Sequence, residues 1–286
     1  AESYCEAVLA VDGGRILYEN RSMERRPIAS TTKIITAFTV IKNYDLKKQI
    51  TVKKEWTGIE GSSVYLKEGE TFTVEELLYG LMLRSGNDCA VTLACALAGS
   101  EKAFAEKMND LAKECVATSS HFVNPHGLHD DNHYTTAYDL ALICAAAYEN
   151  PDFARIVGTK QRKIEVSGEA RYIANKNKLL KLFDGANGVK TGFTKKSGRC
   201  LVGGAKRGDM QLITVVLNHG DMWNDTIRML NFGFDNYEMI PLDNALLTSG
   251  NDVVKVKVNQ TVTPNWQNVK YPLKKDGSEK LVVELI

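Results

Sequence analysis

Residues 29–41 read Ala-Ser-Thr-Thr-Lys-Ile-Ile-Thr-Ala-Phe-Thr-Val-Ile, an apolar run that opens with a serine and, three residues later, a lysine. The part from Ile34 to Ile41 is apolar enough to form a buried helix, although its β-branched residues leave a strand open as well. On a helix, Ser30 and Lys33 share a face, so the ammonium group can reach the hydroxyl. The stretch therefore predicts a reactive serine at the start of a buried helix.

The spacing of this serine and lysine suits nucleophilic catalysis. A serine hydroxyl is a poor nucleophile until a base takes its proton, and a lysine whose pKa is lowered by burial or nearby positive charge can be that base. At a helix start, the backbone N–H of Ser30 can also help to stabilise an oxyanion. The alternative is an N-cap serine followed by a solvated lysine, which would be the better interpretation of this motif alone.

Two later motifs supply the other groups that acyl-serine chemistry needs. Ser85-Gly86-Asn87 falls in a break between two helical patterns, where both polar side chains can project into a cleft. Lys190-Thr191-Gly192 continues into Phe193-Thr194, as an edge strand beside a cleft would, and Gly192 would let a substrate backbone approach closely. Together the three motifs provide a nucleophile, a proton carrier with an amide, and a cation that holds a carboxylate.

Two of these motifs have a rival elsewhere in the chain. Ser249-Gly250-Asn251 repeats the serine–asparagine triplet, but it precedes an alternating strand pattern and is typical of a plain turn. Lys196-Ser197-Gly198 comes two residues after Thr194 and is typical of a hairpin turn. We therefore assign function to the copies at 85–87 and 190–192.

Composition excludes several classes of partner. The 286 residues are 44% hydrophobic and 25% charged, which is ordinary for a globular protein with a sizeable core. With 36 basic against 35 acidic side chains, no global field would steer nucleic acid or an anionic membrane surface toward the chain. No apolar run approaches the roughly 18 residues that span a bilayer, so we expect a soluble chain.

Strand patterns at both ends of the chain enclose a helical region. Residues 7–11 and 15–18 predict a hairpin around Asp12-Gly13-Gly14. Three more strands are predicted at 188–194, 200–206 and 211–217. Helices are predicted at 73–83, 88–98, 101–114, 136–148 and 225–233, the last with Gly233 as its C-cap. This order indicates an α+β fold, with an antiparallel sheet closed by both termini and flanked by helices.

The pattern changes again after Ile240. Residues 253–258 alternate as a half-solvated strand does, residues 280–286 give another strand, and a proline stands at 241. We therefore expect a catalytic domain over residues 1–240 and a β-rich C-terminal appendage over 241–286, which is too short to be a comfortable domain alone.

The six cysteines are scattered and include no C-x-x-C pair. An even number permits disulfides in an exported protein. However, Cys89, Cys95 and Cys144 sit in Ala/Leu-rich helical stretches, where a free cysteine acts as a small buried hydrophobe. We expect free thiols.

The motifs together resemble those of the serine-type D-alanyl-D-alanine carboxypeptidases, the low-molecular-mass penicillin-binding proteins. The resemblance covers nearly all of residues 4–240. It is carried by Pro27-Ile28-Ala29-Ser30, by Gly69-Glu70 with residues 77–87, by Asn124-Pro125-His126-Gly127-Leu128, and by residues 188–194. It implies the transpeptidase-like fold that penicillin-binding proteins share with serine β-lactamases.

The resemblance assigns the proton-transfer roles to four residues. Ser30 is the implied nucleophile and Lys33 the implied base for acylation. Ser85 would relay a proton to the leaving group, and Asn87 would bind the substrate amide.

The resemblance also assigns substrate recognition to the predicted edge strand. Lys190 and Thr191 would face the terminal carboxylate. The N–H of Phe193, with that of the nucleophile, would form the oxyanion hole, and Gly192 and Thr194 complete the implied substrate-binding strand.

The same resemblance implies a substrate, an inhibitor class and a location. Such an enzyme removes the terminal D-alanine from peptidoglycan stem pentapeptides that end in D-Ala-D-Ala, and β-lactams acylate the same serine. It works outside the cytoplasmic membrane, in the bacterial cell envelope, and neither a metal nor another cofactor is expected. The sequence begins at Ala1 without Met, which indicates either a processed mature protein, whose signal peptide has been removed, or a trimmed chain.

Two departures from the family pattern stand out. Some relatives carry an arginine near the site after the last sheet strand, where this chain has Met222-Trp223-Asn224, which leaves carboxylate recognition to Lys190 and Thr191. The family's C-terminal β domain and terminal amphipathic anchor are longer than the segment after Ile240. We therefore expect a truncated form, whose missing C-terminal segment would anchor it to the membrane surface.

Two other functions remain open on the same motifs. A β-lactamase shares the motif set, but the class A enzymes add a carboxylate within an E-x-x-L-N stretch, and this sequence contains none. A non-catalytic antibiotic sensor would be acylated and then stall, and such domains are usually attached to a membrane-spanning segment. A sensor would deacylate slowly, whereas an enzyme would turn over peptide rapidly, and this difference would separate the two.

A histidine cluster raises the question of zinc. Four of the five histidines, at 121, 126, 129 and 133, fall within 13 residues, but their spacing fits no compact ligand motif. We expect no metal here, and we expect His126 to brace the loop that frames the cleft.

Overall fold

The computed structural model describes residues 3–286, which form helices and strands in an α+β order. The strands are β1 Cys5–Ala10, β2 Ile16–Asn20, β3 Gln49–Thr51, β4 Thr71–Thr73, β5 Gln161–Val166, β6 Glu169–Ala174, β7 Ala186–Thr194, β8 Gly198–Arg207, β9 Met210–Leu217, β10 Tyr237–Pro241, β11 Asp252–Val258, β12 Lys270–Lys274 and β13 Glu279–Leu285. The α-helices are α1 Lys33–Asn43, α2 Val74–Leu83, α3 Asn87–Ala98, α4 Glu101–Glu114, α5 Ala137–Tyr148, α6 Pro151–Val157, α7 Leu179–Leu182 and α8 Met222–Asn236.

A five-stranded antiparallel sheet carries the fold, in the order β2-β1-β9-β8-β7. The prediction of an antiparallel sheet built from both ends of the chain is confirmed. Its two faces are buried separately, because side chains alternate along each strand. Cys5, Ala7 and Leu9 of β1 face the large core under the helical region, whereas Val8 and Ala10 face a second core under α8.

Helix starts follow the capping signals of the sequence. Thr73 caps α2 in a reciprocal capping box with Glu76, and Thr136 caps α5 by accepting a hydrogen bond from the backbone of Asp139. Pro151 begins the short helix α6. The ambiguous run 34–41 is helical and buried throughout, as part of α1.

Two expectations for helix ends need correction. Ser30 lies not in α1 but in a 3-10 turn, Ala29–Thr32, that leads directly into it. Gly233 is not a C-cap, because α8 continues to Asn236. A Cβ at position 233 would lie 2.5 Å from the Leu212 side chain, so this glycine serves the close packing of α8 on the sheet.

Two pairs of strands before the C-terminal region were not predicted from the sequence. β5 and β6 form an antiparallel hairpin, and β3 pairs with β4 over three residues at each side. Both pairs are short and lie outside the central sheet.

The C-terminal residues form two small sheets around their own apolar cluster. β10 pairs with β12, and β11 runs parallel to β13, with Leu242, Val258, Leu273 and Leu281 buried between them. The expected boundary between residues 240 and 241 falls inside β10, and the division into two domains stays a proposal.

All six cysteines, which lie within the described residues, are free, as expected. None of the helices in residues 3–286 combines the length and the apolar character needed to cross a membrane.

Candidate active site

The Lys33 ammonium lies at the centre of the three sequence motifs. Its Nζ donates hydrogen bonds to Ser30 Oγ at 2.8 Å, to Asn87 Oδ1 at 2.6 Å and to the His126 carbonyl at 2.8 Å. The side chain is completely buried. The structure thus brings the predicted nucleophile, base and amide together, and it adds a backbone carbonyl that sequence reasoning did not predict.

Burial makes Lys33 a competent base. Desolvation lowers its pKa well below the ordinary value, and the positive charge of Lys190 lowers it further. None of its three hydrogen-bond acceptors carries a charge that would hold the ammonium form. A neutral amine 2.8 Å from a serine hydroxyl is the arrangement that proton abstraction requires.

Tight backbone packing holds the nucleophile turn in place. Ala29, directly before Ser30, has a φ of 51°, an uncommon conformation for a residue other than glycine. On one side, a Cβ at Gly192 of β7 would lie 2.9 Å from the Ser30 nitrogen. On the other, a Cβ at Gly127 would lie 2.0 Å from the Ala29 carbonyl oxygen. Gly192 is therefore required for the approach of β7 to the nucleophile turn, and not only for a substrate as expected.

The Ser85–Asn87 motif lies at the break between α2 and α3, as predicted. Ser85 has a φ of 62°, and its side chain lines the cleft beside Ser30. Asn87 is buried, and while its Oδ1 accepts from Lys33, its Nδ2 donates to the Glu60 carbonyl at 2.7 Å. Asn87 thus positions the base, and its predicted contact with a substrate amide stays a prediction.

Lys190 is the second buried cation of the site. Its Nζ donates to the Thr191 carbonyl at 2.9 Å. Burial lowers its pKa to about 7, with a smaller contribution from Lys176. A substrate carboxylate beside this amine would favour the charged form again, so that binding and protonation of Lys190 support each other.

An open cleft of about 400 Å³ lies over these groups. Five predicted site residues line it: Ser30, Ser85, Thr191, Gly192 and Phe193. The other lining residues, Ser62, Lys176, Arg199 and Met222, were not predicted as site residues. Arg199 stands at the start of β8 and pairs with Phe193 across the strands. Its lysine- and arginine-rich surroundings gave no motif that could have revealed it.

Thr194, predicted as a substrate-binding residue, is not among the residues that line this cleft. Its hydroxyl and backbone N–H both bond the Ser197 hydroxyl, within the turn that joins β7 to β8. The rival motif at 196–198 therefore forms a hairpin turn, as expected, and Thr194 ends β7 directly before that turn.

The histidine-rich loop hydrogen-bonds the segment that contains Ser30, through contacts with Thr32 and Lys33. His126 bonds Glu101 through Nε2 at 3.0 Å, which braces the loop as expected. His133 is buried rather than exposed on a surface loop, and its Nδ1 accepts from the Val123 N–H while its Nε2 bonds Thr32 Oγ1 at 2.7 Å. Within residues 3–286, none of the four histidines belongs to a cluster of three potential metal ligands.

Comparison with known proteins decides the family. The model of the D-alanyl-D-alanine carboxypeptidases, peptidase family S11, matches residues 2–221. The D-alanyl-D-alanine carboxypeptidase DacF of Bacillus subtilis is 33% identical over 268 residues, which are 91% of this chain and 68% of DacF. The chain belongs to this family. It is a serine-type D,D-carboxypeptidase, and acylation by β-lactams is typical of the family.

Solved structures of this family share the fold. A D-alanyl-D-alanine carboxypeptidase from Mycobacterium tuberculosis matches with a TM-score of 0.78 and 31% identity, covering 82% of this chain and 92% of that one. The Streptomyces K15 DD-transpeptidase matches with a TM-score of 0.76 and 32% identity, covering 80% and 96%. The predicted transpeptidase-like fold is confirmed, and the comparisons give no support to the β-lactamase or the sensor interpretation.

Proposed function

We propose that the chain removes the terminal D-alanine from peptidoglycan stem pentapeptides, with Ser30 as the acylated residue. The observation that carries these roles is the 2.8 Å contact between Ser30 Oγ and a buried Lys33 whose pKa is lowered. The family sets the reaction class, and this contact selects the nucleophile and its base within this chain.

Acylation follows from the geometry around Ser30. Neutral Lys33 takes the Ser30 proton as Oγ forms a bond to the carbonyl carbon of the penultimate D-alanine. The N–H groups of Ser30 and Phe193 stabilise the oxyanion, since β7 packs directly against the nucleophile turn at Gly192. When the C–N bond breaks, the proton held by Lys33 passes through the Ser85 hydroxyl to the departing amine, so the terminal D-alanine leaves and Lys33 is neutral again.

Deacylation returns the enzyme to its starting state. A water molecule from the open cleft attacks the acyl-Ser30 carbonyl and yields the shortened stem peptide. Lys33, 2.8 Å from Ser30 Oγ, is positioned to take the proton of that water and to return it to Oγ as the acyl–oxygen bond breaks.

Recognition of the terminal carboxylate combines one buried cation with an exposed one. Thr191 of β7 lines the cleft, buried Lys190 precedes it on the same strand, and exposed Arg199 lines the cleft from β8. Met222 lines the same cleft and carries no charge, at the place where some relatives have an arginine. We propose that Lys190 and Thr191 bind the carboxylate and that Arg199 strengthens the local positive field.

The substrate places the enzyme in the cell envelope, outside the cytoplasmic membrane. Peptidoglycan stem peptides are its partners, and β-lactams are covalent inhibitors of the same serine. We propose that the catalytic domain acts at the outer surface of the cytoplasmic membrane.

Two measurements test this proposal. A peptide ending in D-Ala-D-Ala should release D-alanine, and intact-mass analysis with penicillin should show one adduct that is lost in Ser30→Ala. The second serine–asparagine triplet offers a matched control: Ser85→Ala should slow peptide turnover by roughly a hundredfold, as loss of an acid–base group does, whereas Ser249→Ala should not. An adduct that persists in Ser30→Ala would refute the assignment.

A further inference from the structure

A cluster of three potential ligands lies on the face of the central sheet that α8 covers. Glu6 comes from β1, His219 from the loop after β9, and Asp225 from the first turn of α8. One ligand atom of each residue lies within 4.8 Å of the other two. The three segments are far apart in sequence, so the fold itself assembles the cluster.

Two carboxylate oxygens in this cluster lack hydrogen-bond partners. Glu6 is only 2% exposed, and its Oε1 has no hydrogen-bond partner among residues 3–286. The buried Oδ2 of Asp225 has none there either, although the other oxygen of Asp225 bonds Arg228. A buried carboxylate oxygen without a partner, such as Glu6 Oε1, is unfavourable unless a cation lies beside it, and Arg228 bonds only the other oxygen of the half-buried Asp225.

The imidazole of His219 is held in the same place. Its ring stacks on Tyr4 with a centroid distance of 4.2 Å, and Nε2 lies 3.4 Å from Asp225 Oδ2. The edge of a tetrahedron with metal–ligand bonds of about 2.1 Å is roughly 3.4 Å long. The contact from the Asp221 N–H to His219 Nδ1 is 3.4 Å, so little is lost if the metal-binding tautomer places a proton on Nδ1.

We propose that Glu6, His219 and Asp225 bind a divalent transition-metal ion of the Zn²⁺ class. Two carboxylate oxygens and one imidazole nitrogen form a donor set that Zn²⁺ accepts, with water as a fourth ligand. The nitrogen donor disfavours Mg²⁺ and Ca²⁺, which bind oxygen ligands. Such an ion would give both unpartnered carboxylate oxygens a ligand contact and would join β1 to the start of α8.

The proposed ion would hold parts of the fold together and would take no part in catalysis, but its ligands are connected to residues that line the substrate cleft. His219 donates its backbone N–H to the Arg199 carbonyl at 3.0 Å, and α8 begins at Met222. Both Arg199 and Met222 line the cleft. The ion would therefore fix one wall of the cleft without contact to Ser30 or Lys33.

The direct test is metal binding by the full chain, prepared without a histidine tag and stripped with EDTA. Calorimetry with Zn²⁺ should give one site per chain, and saturating Zn²⁺ should raise the melting temperature by about 5 °C. Glu6→Gln and His219→Ala should each weaken Zn²⁺ binding by at least about tenfold. His129→Ala is the matched control, since it removes a histidine paired with Asp131 at 3.0 Å outside the cluster, and it should bind Zn²⁺ like the parent.

Stability without metal gives a second, independent measurement. In EDTA, Glu6→Gln should be at least as stable as the parent, because one of the two facing charges is gone, and Zn²⁺ should no longer raise its melting temperature. Penicillin acylation of the parent should survive EDTA within a few-fold. Absence of a Zn²⁺ site in the parent, Zn²⁺ binding by Glu6→Gln equal to the parent's, or preference for Ca²⁺ or Mg²⁺ over Zn²⁺ would each overturn the proposal.

Discussion

Lys33 and Lys190 are two buried lysines of one site, and the proposed mechanism requires opposite charge states of them. Lys33 must be able to lose its proton, whereas Lys190 must carry a charge when the substrate carboxylate binds. Arginine separates these tasks because it is essentially never deprotonated in proteins. Lys33→Arg should therefore reduce acylation by peptide and by penicillin at least about a hundredfold, while Lys190→Arg should keep measurable activity. Stopped-flow acylation rates would check this, and equal, mild losses in both variants would contradict the division of roles.

The lowered pKa values also predict the pH dependence of kcat/KM, which reports the ionisations of the free enzyme. Activity should rise with pH as Lys33 becomes neutral. It should fall again above about pH 7, where Lys190 loses its charge in the free enzyme. In Lys190→Arg the alkaline fall should move to higher pH and the acid limb should stay, because arginine does not titrate in this range. An alkaline limb that is unchanged in this variant would show that another group causes it.

At the scale of residues, sequence spacing predicted contacts between residues that lie within one helical turn of each other. Ser30 and Lys33 lie one turn apart, so their contact followed from the sequence. The hydrogen bonds of Asn87 to the Lys33 side chain and to the Glu60 carbonyl did not, because only the fold brings these groups together, and a backbone carbonyl leaves no mark in a sequence pattern. The same limit hid the cluster around Glu6, whose members are brought together only by the sheet.

At the scale of elements, the loop that contains His133 and the turn that contains Thr32 depend on each other. Burial lowers the pKa of His133 to about 3, so the ring is neutral, and with Nδ1 accepting from Val123 its Nε2–H donates to Thr32. His133→Phe keeps the volume but leaves the Val123 N–H without its partner, at a cost of about 1–3 kcal/mol. Urea unfolding should show this loss, with His129→Ala close to the parent, and an unchanged midpoint for His133→Phe would mean that the two bonds contribute nothing.

Elements with strong periodicity or clear caps were predictable, and elements that depend on tertiary contacts were not. The helical patterns at 73–83, 88–98, 101–114 and 136–148 gave correct helices, and the structure caps the first of them with Thr73. The predicted end of α8 at Gly233 was wrong, because glycine is common both at helix C-caps and where a helix packs closely on its neighbours. Here Gly233 packs against Leu212, and the helix continues. The hairpin of β5 and β6 was missed because its residues are mostly exposed and charged.

At the scale of the whole molecule, the C-terminal appendage is attached to the first hairpin of the chain. Arg15, just before β2, forms a two-pronged ion pair with Glu279 at 2.5 and 2.8 Å and also donates to the Pro272 carbonyl. The Arg15 guanidinium lies 5.2 Å from the Tyr237 ring centroid. None of Arg15, Pro272 and Glu279 lines the cleft, and no residue after Met222 does so.

Removal of residues 241–286 should therefore leave penicillin acylation of Ser30 near its original rate while lowering thermal stability. The loss of stability has two sources: β10 loses its partner β12, and Arg15 loses Glu279. Arg15→Met in the full chain isolates the second source, and loss of these charged hydrogen bonds should cost about 1.5–3 kcal/mol. Calorimetric melting together with acylation rates would check both variants. If the truncated chain folds by circular dichroism but no longer acylates, the appendage belongs to the catalytic domain, because β10 would then hold α8, and with it the Met222 wall of the cleft, in place.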